Sequence, residues 1–146
     1  MSKTVITLSA IDRLMFDSFD VRRVLVIAPI RVAKFSWPDE LRKWDHLSDL
    51  TFAVAVGTPK QRMEALEAGA DITIINRENV QWLIEKSGYK WDFDMCVLDE
   101  ASSFKNHQAK RFRSLLKVRP KIKRMVALTG SPSSNSLMDQ IGRAHV

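Results

Sequence analysis

The sequence predicts an α/β protein in which helices cover both faces of a mainly parallel sheet, three layers in all. Two observations carry this. Five short apolar runs rich in Val and Ile are nearly continuous rather than alternating, the pattern of strands buried on both sides. Between them lie stretches of helical periodicity with legible ends, at the spacing of right-handed βαβ units. A length of 146 residues suits one domain with a real core.

The elements follow in order. Residues 3–15 read as a helix, and Val24 to Ala28 as the first strand. Pro38-Asp39-Glu40 opens a helix that runs through about Trp44, its acids lying at the positive end of the helix dipole. Residues 51–56 form the second strand. Thr58 as N-cap, Pro59 at the first helical position and Gly69 just past the end bracket a helix over residues 60–68. Residues 72–75 are the third strand; Asn76 then caps a helix to about Lys86, which Gly88 terminates. A strand over 95–98, a basic amphipathic helix over about 108–117 and a strand over 125–128 complete the series. There is no internal repeat, low-complexity tract or linker.

Composition narrows the class. Hydrophobic residues make up 45% and charged residues 27%, ordinary for a globular protein. No apolar run approaches the roughly 20 residues needed to span a bilayer, and the N-terminus lacks the pattern of a secretory signal. The single cysteine, Cys96, lies inside a strand pattern and reads as a reduced core residue. These points predict a cytoplasmic protein without a membrane partner. The net charge is +6, with basic clusters over 105–113 and at Lys117, Arg119, Lys121, Lys123 and Arg124. Such a balance suits a polyanionic partner, and equally a solvated basic face. His46, His107 and His145 have no ligand spacing with Cys96, so zinc is not expected.

Ligands of open α/β sheets bind beyond the carboxyl ends of the strands. The residues to weigh are therefore Ala28-Pro29, Asn76, Asp99-Glu100 and Thr129-Gly130-Ser131. An apolar strand ending in Asp-Glu has the form of a Walker B element. In that reading Asp99 holds Mg²⁺, usually through water, and Glu100 orients or deprotonates the attacking water. The plain alternative is a pair of surface carboxylates. Ser2-Lys3-Thr4 before a helix has the form of the end of a phosphate-binding loop. There Lys3 reaches phosphate oxygens and the Thr4 hydroxyl binds the metal, with Ser2 standing where glycine is usual.

Four segments occur in order: VLVIAPIRVAKFSWPDELRKW (24–44), ITIINRENVQWL (72–83), VLDEASSFKN (97–106) and VALTGSPSSN (126–135). Together they resemble the first RecA-like lobe (a P-loop NTPase fold) of superfamily-two helicases, specifically SWI/SNF-type DNA-dependent ATPases and their bacteriophage relatives. The resemblance implies ATP and Mg²⁺ as cofactors and duplex or branched DNA as partner, in a bacterial cell or phage-infected host. It implies DNA-side roles for Ala28, Pro29 and Asn76. It also implies coupling between the ATP and DNA sites through Ser102, Thr129, Gly130 and Ser131. Ser102 stands where many relatives have His. Gly130 permits a tight turn, while Thr129 and Ser131 offer hydroxyls to the acidic pair or to phosphate. Lys105 and Asn106 follow as in the family, which implies support for the loop or a neighbouring phosphate, with a plain solvated loop as the equal alternative. Trp37, Trp44 and Trp82 read as core or interlobe packing.

Residues 1–140 are thus expected to be a partial ATP-binding lobe, lacking the strand before the phosphate loop and a second RecA-like lobe. Residues 141–146 back-translate as ATC-GGA-AGA-GCA-CAC-GTC, which looks like a sequencing-library adapter read in frame, and are expected to be a non-native tail. The parent is expected to be a helicase or translocase, and the fragment alone to turn over negligible ATP. The alternative is a non-catalytic basic module that binds nucleic acid. A metal-dependent nuclease built on Asp99 and Glu100 lacks further carboxylates at strand ends.

Overall fold

The computed structural model describes residues 3–99 and 109–128. Five strands form there: β1 (Val24–Ala28), β2 (Phe52–Ala55), β3 (Ile72–Asn76), β4 (Met95–Asp99) and β5 (Arg124–Leu128). All neighbours pair in parallel, in the order β2-β3-β1-β4-β5. Every residue of β1 and β3 is buried, which is why those runs carry no polar alternation. β2 lies at the sheet edge, and three of its four residues are only half-buried.

The helices are α1 (Lys3–Phe16), α2 (Trp37–Lys43), α3 (Pro59–Glu67), α4 (Val80–Glu85) and α5 (Ala109–Val118). Successive strand residues point to opposite faces, and the core divides accordingly. On one face Val5, Leu8 and Ile11 of α1 and Trp37 and Leu41 of α2 cover Val24, Val26, Ile72, Ile74 and Val97. On the other, Leu66, Leu83 and Leu115 from α3, α4 and α5 cover Leu25, Ile27, Ile75 and Leu98. Helix, sheet and helix make the three layers expected from the sequence. Among the described residues no helix is long and apolar enough to cross a membrane.

Two local expectations change. Asn76 is the last residue of β3, not a side-chain cap: a 3₁₀ turn over Arg77–Asn79 precedes α4, and the Asn76 side chain accepts a 2.7 Å bond from Asn79 Nδ2. The helix expected to open at Pro38 begins at Trp37 and is entered through a π-helical turn over Val32–Ser36. The cap before α3 forms as read. Thr58 Oγ1 accepts from the Gln61 amide at 3.2 Å, while Gln61 Oε1 accepts from the Thr58 amide at 2.9 Å. Gly57 precedes it at φ +109°, with the Gln61 side chain closed over the place a Cβ would take. Because Thr58 is exposed, Thr58→Ala removes the cap and little else. Urea denaturation should show a loss of about 1 kcal/mol with an unchanged m-value.

The amino edge of the sheet is tied by polar bonds. The Asp94 carboxylate accepts from the amides of Arg22 and Arg23 at 2.8 and 2.9 Å, clamping the start of β1 to that of β4. Cys96 is fully buried in β4, and burial pushes its thiol up to about 12, with Arg119 opposing. It is the reduced core residue expected from the sequence.

Candidate functional site

Strand order decides where a ligand can sit. From β1 the chain moves out to β2, returns through β3, and then crosses to β4 and β5 on the other side. The two halves diverge between β1 and β4, and a crevice opens beyond the carboxyl ends at such a switch point. Register places Ala28 opposite Asn76, Ile27 opposite Leu98 and Asp99 opposite Leu128, so Pro29 lies just beyond the last pair of β1 and Asp99 in the last pair of β4 at this edge.

α1 brings a third group there. Its last turn lies at the amino edge, where Met15 and Phe16 line a cavity with Arg22 and Asp71. The helix therefore runs antiparallel to β1 and points its N-terminus to the carboxyl edge. Lys3 is exposed and Thr4 half-buried at that N-terminus. The helix dipole and the lysine charge both favour an anion there.

Asp99 is the best-defined member of the edge. It ends β4 half-buried, and the indole Nε1 of Trp37 donates to its Oδ2 at 2.8 Å. Trp37 itself is fully buried. Among the described residues no hydrogen bond reaches Asp99 Oδ1. A carboxylate with one anchored oxygen, on the same edge as a threonine hydroxyl, is a hard-oxygen donor set. That set fits Mg²⁺, which takes one or two protein oxygens and completes its shell with water and phosphate.

Pro29 is half-buried at the end of β1, while Ala28 and Asn76 are buried. The turn that follows Pro29 presents Arg31, Lys34 and Phe35 to solvent, with Lys34 Nζ 5.8 Å from the Phe35 ring centroid. Phe35 is 59% exposed, an unusual position for a large aromatic side chain. The second basic cluster is partly structural. Arg119 is buried with its Nη1 donating to the Ile122 carbonyl at 2.6 Å, Lys117 pairs with Glu85, and Arg124 lies 3.7 Å from Asp20. The Lys117 partner holds the exposed Glu85 carboxyl below its usual range.

Of the residues singled out in the sequence, Lys3, Thr4, Ala28, Pro29, Asn76 and Asp99 are placed on one edge of the sheet. Ser2, Glu100, Ser102, Lys105, Asn106, Thr129, Gly130, Ser131 and the tail over 141–146 lie outside the described residues. The residue that sequence reasoning missed is Trp37. It stands 62 positions from Asp99, so no periodicity links them. The available signal was chemical: a buried indole N–H needs an acceptor, and Asp99 offers a carboxylate at the end of an apolar strand.

Comparison with known proteins gives one family. The pattern described as the SNF2-related domain matches residues 1–142. Protein p41 of Acyrthosiphon pisum secondary endosymbiont phage 1 is 37% identical over 150 residues, covering 99% of this chain and 33% of that protein. Helicase ssl-1 of Caenorhabditis elegans is 30% identical over 146 residues, covering 95% of this chain and 6% of the relative. The Sulfolobus solfataricus SWI2/SNF2 ATPase core in complex with dsDNA superposes with a TM-score of 0.70 at 26% identity, covering 94% of this chain and 27% of that one. The chain spans about a third or less of the length of each.

Proposed function

The chain belongs to the SNF2-related domain family, and from that premise we propose that residues 1–140 are the first RecA-like, ATP-binding lobe of a DNA-dependent ATPase of the helicase or translocase type. The observation that carries the reading is Asp99. It ends a buried central strand at the switch point of the sheet, on the edge where the N-terminus of α1 presents Lys3 and Thr4.

The roles follow from the chemistry at each place. Lys3 and the amides opening α1 receive the ATP phosphates, with Ser2 continuing the cradle. Thr4 and Asp99 hold Mg²⁺, directly or through water. Bound Mg²⁺ supplies charge neutralisation on the phosphates. Glu100, next to Asp99, orients and deprotonates the attacking water. Ser102, Thr129, Gly130 and Ser131 couple this centre to DNA. DNA runs along the same edge past Pro29, Ala28 and Asn76, and the exposed Arg31, Lys34 and Phe35 favour that track electrostatically and by stacking. A second RecA-like lobe completes the site by closing over the nucleotide, so this chain alone turns over negligible ATP.

Thermal melting with and without ATP and Mg²⁺ tests the reading. Ligand that binds only the folded chain stabilises it by about 2.7 kcal/mol at a hundredfold excess over Kd, and Lys3→Ala should remove that gain. The competing reading is a nucleic-acid module that does not use ATP, favoured only by the exposed basic turn. It wins if ATP leaves the melting point unmoved while salt-dependent DNA binding survives both Lys3→Ala and Asp99→Asn.

A further inference from the structure

We propose that Trp37 is a positioning residue for the metal carboxylate, linking the exposed basic turn after β1 to Asp99. The inference rests on the reading of Asp99 given above, and it deepens that reading.

The geometry starts from the chain between Pro29 and Trp37. A regular helix entered at Val32 would close on i to i+4 bonds. Instead the Trp37 amide donates to the Val32 carbonyl, one residue further on, in a π-helical turn. A π-turn holds an extra residue, which rotates everything after it by roughly 100° around the helix axis. Such turns are rare and are found frequently at functional sites. Here the re-aimed side chain is Trp37. It is fully buried against the sheet, and its Nε1 reaches Asp99 Oδ2 at 2.8 Å.

An indole has one polar group and it can only donate. It therefore holds one carboxylate oxygen, leaves the other, which no described residue bonds, for a ligand, and cannot compete as an acceptor for the cation. Its ring is locked by packing, so the carboxylate it holds is held in a single orientation. Arg31, Lys34 and Phe35 are exposed on the segment that carries Trp37. One turn and one hydrogen bond thus join the exposed basic segment to the candidate metal ligand.

The test uses the 146-residue chain labelled with ¹⁵N, whose four tryptophans give four indole N–H resonances. Trp37→Phe keeps most of the packing, removes the donor, and assigns the Trp37 resonance as the one that disappears. Asp99→Ala, which removes the acceptor, should then shift that resonance more than the other three. If it does not, the bond is absent and the proposal falls, whatever the chain does with ATP. Mn²⁺ binding in the presence of ATP, read by the free-ion EPR signal, supplies the second arm. Trp37→Phe should weaken Mn²⁺ binding roughly tenfold or more, as loss of a ligand-orienting partner does. Equal affinity in wild type and Trp37→Phe overturns the positioning role even with the bond intact. Absence of Mn²⁺ binding in the wild type, with the indole shift present, overturns the metal reading of Asp99 and with it the role of Trp37. Melting curves of both variants within a few degrees of wild type confirm that folding is not the cause.

Discussion

Replacing Arg23 by methionine should destabilise the fold by about 3 kcal/mol, seen as a lower urea midpoint at constant slope. The side chain of Arg23 is only 15% exposed at the amino edge of the sheet. Its guanidinium donates to the Ala70 carbonyl at 3.1 Å, to Thr73 Oγ1 at 3.1 Å, to the Tyr89 hydroxyl at 2.5 Å and to Asp92 Oδ2 at 2.5 Å. It also lies 4.6 Å over the Phe93 ring. One planar cation thereby joins the end of α3, strand β3 and the loop before β4. Methionine fills the space but leaves Thr73, which is fully buried, and the Ala70 carbonyl without their donor. Orphaned buried groups cost about 1–3 kcal/mol each before any relaxation. The ion pair itself is the smaller part. Asp92 is 45% exposed, so Asp92→Asn should cost no more than about 1 kcal/mol. If Asp92→Asn costs as much as Arg23→Met, charge pairing and not the neutral acceptors holds this edge.

The contrast between these residues also shows what a sequence makes visible. β1 and β3 were legible because both faces of each strand are covered, so burial wrote itself as uninterrupted Val and Ile. The ends of α3 were legible because Thr58, Pro59 and Gln61 act within four positions of one another. Asp99 was legible as a strand-end acid next to a second acid, and the rule that ligands bind beyond the carboxyl ends of strands marked it with three other strand ends. Contacts that join distant parts of the chain left no such trace. The π-turn at Val32–Ser36 satisfies its bonds locally, and nothing in its composition separates it from an ordinary helical turn. The side-chain partners of Arg23 lie up to 69 positions away, and the Trp37 bond spans 62. Charge was misleading for the same reason: Arg119, Lys117 and Arg124 look like a free basic face in one dimension, but each has a bond or ion-pair partner in three.

Asp99→Asn should reverse the way Mg²⁺ affects ATP affinity, weakening binding with the ion and strengthening it without. The substitution is nearly isosteric and its amide oxygen can still accept from Trp37, so the fold should be unharmed and the charge alone removed. On the proposed reading Asp99 would help hold Mg²⁺ beside the phosphates, and losing its charge would lower affinity when the ion is present. Without Mg²⁺, the same carboxylate would face phosphate charge directly on that reading, and losing it would relieve repulsion. Two charges about 5 Å apart interact by roughly 3 kcal/mol at an effective dielectric of about 20. Asp99 is half-buried, so solvent screening reduces that to about 1–1.5 kcal/mol, roughly tenfold in affinity in each direction. The ratio of affinities with and without Mg²⁺ should therefore fall roughly a hundredfold, measured by calorimetric titration in Mg²⁺ and in EDTA. A neutral structural role predicts no change in either titration, and a loss of folding predicts a fall in both. Only a carboxylate that shares its space with a metal ion and phosphate moves the two in opposite directions.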